Sequence, residues 1–131
     1  MTLSNDIYTV MAADSGVSAL VGDRITTGRL NRDDTYPQIQ IVTPADFDDS
    51  MYRDHDGAPG RADVVIQFDC YGVTAVEAEN VADAIIDLWS GYQSSSPDFG
   101  SAFIERKLDD GYNGGLNAYR YIVSVAVNIS V

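Results

Sequence analysis

Hydrophobic and polar positions alternate most cleanly between Arg61 and Tyr71. Val64, Ile66, Phe68 and Cys70 fall on one side of that alternation, and Asp63, Val65, Gln67, Asp69 and Tyr71 on the other. Side chains of a strand point to its two faces in turn, so this period of two predicts a half-buried antiparallel strand. The C-terminal stretch Ala118 to Val131 has the same period, with Tyr119, Tyr121, Val123, Val125, Val127, Ile129 and Val131 in register. Its length predicts a place at the centre of a sheet or at an interface. A shorter alternation puts Ile39 and Ile41 opposite Gln38, Gln40 and Val42. Pro37 stands at its start, where a missing ladder donor is tolerated. Ala102 to Asp109 predicts another strand, and Asp23 to Thr27, around Ile25, a short one.

Helical spacing appears twice. Thr74 stands before a run in which Ala78, Val81, Ala82, Ile85, Leu88 and Trp89 recur at intervals of three and four, while Glu77, Glu79, Asp83 and Asp87 lie off that stripe. Thr74-Ala75-Val76-Glu77 has the form of a capping box, and Gly91 closes the helix near residue 90. Residues 4–13 predict a first helix, with Ser4 as N-cap, Asp6 in the first turn, and Ile7, Val10 and Met11 as its apolar side. Asp14-Ser15-Gly16 breaks it, and Val17 to Val21 reads as a helical turn stopped by Gly22. Residues 92–100 read as a loop, and 110–115 as the turn between the last two strands. The order of helix, strands, helix, strands predicts an α+β domain over residues 1–131. Its sheet is mostly antiparallel, with two helices packed on one face.

Residues 44–60 interrupt this pattern as a long acidic loop or hairpin. Asp46, Asp48, Asp49, Asp54 and Asp56 face a single base there, Arg53. A loop of this length in a compact domain is usually functional or disordered. Across the chain, 20 acids meet eight bases for a net charge of −12. No bases cluster beyond Arg106-Lys107, which argues against a surface that grips phosphates. No run of about 18 apolar residues occurs, so no membrane span is expected. The start of the chain lacks the basic and apolar regions of a signal peptide. One cysteine, Cys70, lies within an apolar run and reads as a small buried hydrophobe.

The chain shows little that could perform chemistry. His55, its one histidine, lies in the acidic loop with no rigid nucleophile beside it. A calcium loop starting at Asp54 has Asp56 at its third place, but Ala58, Pro59 and Val65 stand where a ligand, a glycine and a glutamate are needed. Gly111, Gly114 and Gly115 belong to a turn and open no helix, so they form no phosphate cradle. No catalytic, cofactor or metal residue is therefore assigned. Eight tyrosines are many for this length. Tyr52, Tyr92 and Tyr112 fall in predicted loops, where an aromatic side chain can anchor a protein contact. The expected interface residues are these three with Asp46, Asp48, Asp49, Arg53, Asp54 and Asp56.

Five segments occur in a telling order: Leu20-Val21-Gly22-Asp23-Arg24-Ile25, then Tyr36-Pro37-Gln38-Ile39-Gln40-Ile41, then Val64-Val65-Ile66-Gln67-Phe68-Asp69-Cys70-Tyr71, a helix carrying Ala75, Glu77, Ala78 and Ala82, and Tyr119-Arg120-Tyr121-Ile122-Val123-Ser124-Val125. This series resembles the tail-completion, or tail-terminator, proteins of long-tailed bacteriophages and of phage-derived gene-transfer particles. The resemblance spans nearly the whole chain, though the acidic stretch is longer and more charged than the hairpin usual in the family. It implies a virion protein assembled in the host cytoplasm, forming a homo-hexameric ring on the head-proximal end of the tail. Its partners would be copies of itself, the tail tube protein and the head–tail connector proteins, with DNA passing through the lumen unbound. It implies no cofactor and no catalytic residue. Three other readings stay open from the residues: another connector or neck ring protein, an acidic module that mimics nucleic acid to occupy a basic partner, and an enzyme using a carboxylate pair that spacing alone does not reveal.

Overall fold

In the computed structural model, residues 3–27, 35–42, 61–95 and 98–130 are described. The predicted acidic loop at 44–60 lies outside them. In chain order the elements are α1 (Leu3–Ala13), α2 (Ser15–Val21), β1 (Ile25–Thr27), β2 (Gln38–Val42), β3 (Arg61–Gly72), α3 (Ala75–Trp89), β4 (Ser94–Ser95), β5 (Asp98–Asn113) and β6 (Ala118–Ser130). The strands form one sheet in the order β1-β2-β3-β6-β5-β4. β1 and β2 run parallel, and the other pairs are antiparallel. The fold is α+β with a mostly antiparallel sheet, as the alternation predicted. β6 lies at its centre, between β3 and β5.

The two clearest periodic segments form for the reasons their patterns suggest. On β3, Val64, Ile66, Phe68 and Cys70 are buried together with Val123, Val125, Val127 and Ile129 of β6. Gly72 ends β3 where the chain turns tightly into α3. A Cβ there would lie 2.5 Å from the Ala78 amide nitrogen and 3.0 Å from the Glu77 carbonyl carbon, so only glycine lets helix and strand approach this closely. Thr74 caps α3, its hydroxyl oxygen accepting from the Glu77 amide at 3.1 Å. The Glu77 carboxylate reaches back one residue past the cap and accepts from the Val73 amide at 2.9 Å. At the other end Gly91 adopts a φ of 75°, the left-handed conformation that commonly follows a helix.

Among the described residues, three helices cover the sheet, one more than predicted. The turn read at Val17 to Val21 is a full helix, because Asp14 does more than break α1: its carboxylate caps α2, accepting from the Val17 amide at 2.9 Å. α1 begins at Leu3, so Ser4 lies within the helix and does not cap it. All three helices contribute to one core on the same face of the sheet. Ile7, Val10 and Met11 come from α1, Val17 and Val21 from α2, and Val81, Ala82, Ile85 and Trp89 from α3. Trp89 is fully buried, and its indole N–H points at the Met11 sulfur at 3.2 Å. The rings of Phe68, Phe99 and Tyr92 surround it at centroid distances of 6.0, 5.7 and 5.1 Å. β5 is also longer than the predicted strand at 102–109. Irregularities between Phe99 and Ala102, Ile104 and Arg106, and Asp109 and Gly111 let it absorb turn-like residues and stay paired with β6.

Candidate interaction surface

Residues directly opposite in paired strands share a face, so the register shows what the other side of the sheet carries. Val65, Ala126 and Phe103 form one cross-strand row. Val42, Gln67, Ser124 and Arg106 form the next, and Gln40, Asp69, Ile122 and Leu108 the third. The helices pack on the opposite face, so these rows lie open. Phe103 is 58% exposed and Val65 45%, with Val42 and Leu108 exposed beside them. Ala126, Ile122 and Ser124 are nearly covered by their larger neighbours.

The other end of this face is polar and tightly bonded. Asp69 is almost fully buried and accepts from the Gln67 side-chain Nε2 at 2.8 Å. Arg120 lies 3.6 Å from the second Asp69 oxygen and donates to Asp110 through both Nε and a terminal nitrogen. The Tyr71 hydroxyl donates to the Gln40 side-chain oxygen at 3.3 Å. Burial pushes the Tyr71 phenol above its ordinary range, and Asp69 adds to this while Arg120 opposes it. Burial pulls the Arg120 guanidinium down, but Asp110 and Tyr71 outweigh it, so the net shift is upward. The Tyr36 hydroxyl donates to the Leu116 carbonyl at 2.9 Å, tying the entry of β2 to the β5–β6 turn. These groups are consumed in bonds to one another, which makes them a structural brace.

The outer side of α3 is acidic. Lys107 of β5 bridges Glu79 and Asp83 at 2.8 and 2.9 Å and sits 5.6 Å from the centre of the Tyr121 ring. Glu79 first, then Asp83, holds its ammonium well above the usual lysine range. Next to these acids, Val73 and Val76 are 58% and 66% exposed. Cys70 is buried in the core, and that burial, with Asp69 nearby, pushes its thiol far up and leaves it inert.

Of the interface residues expected from sequence, two lie within the described chain. Tyr92 is half-buried, with its ring against Trp89 and Phe99, so much of it serves the core. Tyr112 is exposed, packs edge-on against Tyr119 at 5.1 Å and donates to Asn117 at 3.0 Å. Asp46, Asp48, Asp49, Tyr52, Arg53, Asp54 and Asp56 lie outside the described residues. The sequence reading missed Phe103, Val65 and Arg106. Their alternation was visible, but nothing in it says which side of a sheet the helices leave open.

Among the described residues, no three histidine, cysteine, aspartate or glutamate side chains group so as to hold a metal ion. No described helix is long and apolar enough to cross a membrane. No family model matches the sequence, and no curated protein matches it. Among solved structures, the fold is similar to that of a chain in the virion of a native gene transfer agent particle. The TM-score is 0.71 at 19% identity, and the match covers 98% of this chain and 95% of the other.

Proposed function

We propose that this chain is a structural subunit of a phage-type virion particle and, within it, the ring-forming tail terminator that caps the tail tube and joins it to the head connector. The observation that carries the proposal is a fold shared over almost the full length of both chains with a component of a gene transfer agent virion. The segments that resemble tail-completion proteins support it further. All five coincide with folded elements: the end of α2 with β1, then β2, β3, α3 and β6. The work of such a subunit is contact between proteins, and this chain has an uncovered sheet face and an acidic helix face to offer. The net charge of −12 suits a ring through which DNA must slide without adhering.

Deleting the gene from its parent genome tests this. The expected result is tails of uncontrolled length that fail to join heads, seen by negative-stain microscopy. Normal particles would contradict the proposal. Copurification with the portal and not with the tube would favour a neck or connector ring instead. The acidic stretch is proposed to take part in docking. Replacing Asp46, Asp48 and Asp49 with alanine should weaken binding to the tube or connector and leave the monomer's melting temperature nearly unchanged. A large loss of monomer stability would place those residues in the core.

A further inference from the structure

Two surfaces of the chain complement each other, and they lie on opposite sides of the molecule. One is the apolar end of the open sheet face. Among the described side chains of the rows Val65–Ala126–Phe103 and Val42–Gln67–Ser124–Arg106, a single one is ionised, Arg106. In a chain of net charge −12 this is a charge-poor patch with an exposed aromatic residue, the composition of an interface core. Arg106 has no carboxylate partner among the described residues. Lys107 and Arg120 each hold two carboxylates, and Arg24 hydrogen-bonds the carbonyls of Pro37 and Leu20.

The other surface is the outer side of α3, where Val76, Asn80, Asp83 and Asp87 form one stripe at spacings of four, three and four. Val73 extends its apolar end. Asp87 lies in the last turn, where the helix dipole disfavours a negative charge, and that turn has no basic residue. Asp87 has no cationic partner among the described residues.

We propose that the open sheet face of one copy docks on the outer side of α3 of the next, with Phe103 and Val65 against Val76 and Val73, and Arg106 between Asp83 and Asp87. The spacings are compatible. Phe103 and Arg106 lie opposite Ala126 and Ser124, two residues apart on β6, so about 7 Å of strand separates them; Val76 to Asp83 covers about 10 Å of helix, and the long Arg106 side chain can bridge the difference. Each copy uses both surfaces, so the contact is heterologous and propagates from copy to copy until it closes a ring or runs on as a filament. The inference rests on the ring-subunit reading and names the two patches that reading requires.

Disulfide trapping in the full chain tests it. Cys70 is buried, so introduced thiols report alone. The double variant Asp87→Cys with Arg106→Cys, oxidised at high protein concentration, should give a ladder of cross-linked multimers ending at a closed species. Each single variant should run as monomer. Efficient dimers from Arg106→Cys alone would mean that two sheet faces pair symmetrically, which overturns the proposal. Rings seen by native mass spectrometry without a ladder would overturn this contact and leave the ring reading standing. A ladder without any closed species would support the contact and remove the ring reading. The absence of both ring and ladder would overturn the proposal. Independently, Phe103→Asp should weaken self-association at least about tenfold with the monomer's melting temperature unchanged. Unaltered self-association would overturn it.

Discussion

Replacing Trp89 with alanine removes the side chain on which four elements meet. Trp89 is fully buried. It touches Phe68 of β3, Phe99 of β5 and Tyr92 beyond the end of α3, and its N–H points at Met11 of α1. Truncating a buried tryptophan to alanine costs about 3–5 kcal/mol, depending on how far the site can collapse. Here the neighbours are rings fixed on strands and a helix, so collapse is restricted, and the cost should lie near the upper end, about 4–5 kcal/mol. With a urea m-value near 1.5–2 kcal/mol/M, the unfolding midpoint should fall by roughly 2–3 M. That is a large share of the 5–15 kcal/mol typical of a native domain. Trp89 is the chain's one tryptophan, so unfolding should be followed by far-UV circular dichroism, which survives its loss. Trp89→Phe keeps a ring in place and gives up the N–H contact and some volume, for about 1–2 kcal/mol. A loss below about 1 kcal/mol for Trp89→Ala would refute the packing of α3 on the sheet.

Gly72→Ala should destabilise by about 1–3 kcal/mol or more, because the added methyl would meet the backbone of α3 and not a movable side chain; an unchanged melting temperature would refute the close approach. Cys70 should resist a thiol reagent in the folded protein and react once urea unfolds it. Burial holds its thiol protonated when folded, so this stabilisation is complete below the ordinary thiol pKa of about 8.5 and is lost as pH rises above it. The urea midpoint should therefore decline on the alkaline side, and less steeply in Cys70→Ala; equal slopes would contradict this. Gln38 is fully buried, and neither atom of its side-chain amide is hydrogen-bonded among the described residues. Gln38→Met should accordingly be neutral or stabilising by up to about 1–2 kcal/mol, and a clear loss in urea titration would show that the amide is satisfied after all.

The parts of the fold that were legible in the sequence are those where one physical signal dominates. Val64, Ile66, Phe68 and Cys70 alternate without interruption because one side of β3 is core from Val64 to Cys70. Thr74 and Gly91 mark the ends of α3 because orphan amides and a left-handed residue leave few alternatives. β5 was read too short because Gly100, Ser101, Asp110 and Gly111 are turn-formers, and only pairing with the long β6 keeps them extended. α2 was underestimated because seven residues carry little periodicity, and its cap, Asp14, looked like a breaker of the preceding helix. Tyr92 looked like a surface residue because it follows a helix stop, yet Trp89 and Phe99 draw its ring inward. The open sheet face escaped notice for a different reason. Alternation shows that a strand has two sides, but the side left bare is decided by where α1, α2 and α3 pack.

The proposed role puts this chain in a closed ring between tail tube and head. Imaging the particle made by the parent genome at a resolution that traces the chain tests it most directly. The expected result is one closed ring of this chain at the head-proximal end of the tail, with β5 of each copy facing α3 of its neighbour. Finding the chain in the capsid shell or the distal tip, or missing from the particle, would contradict it.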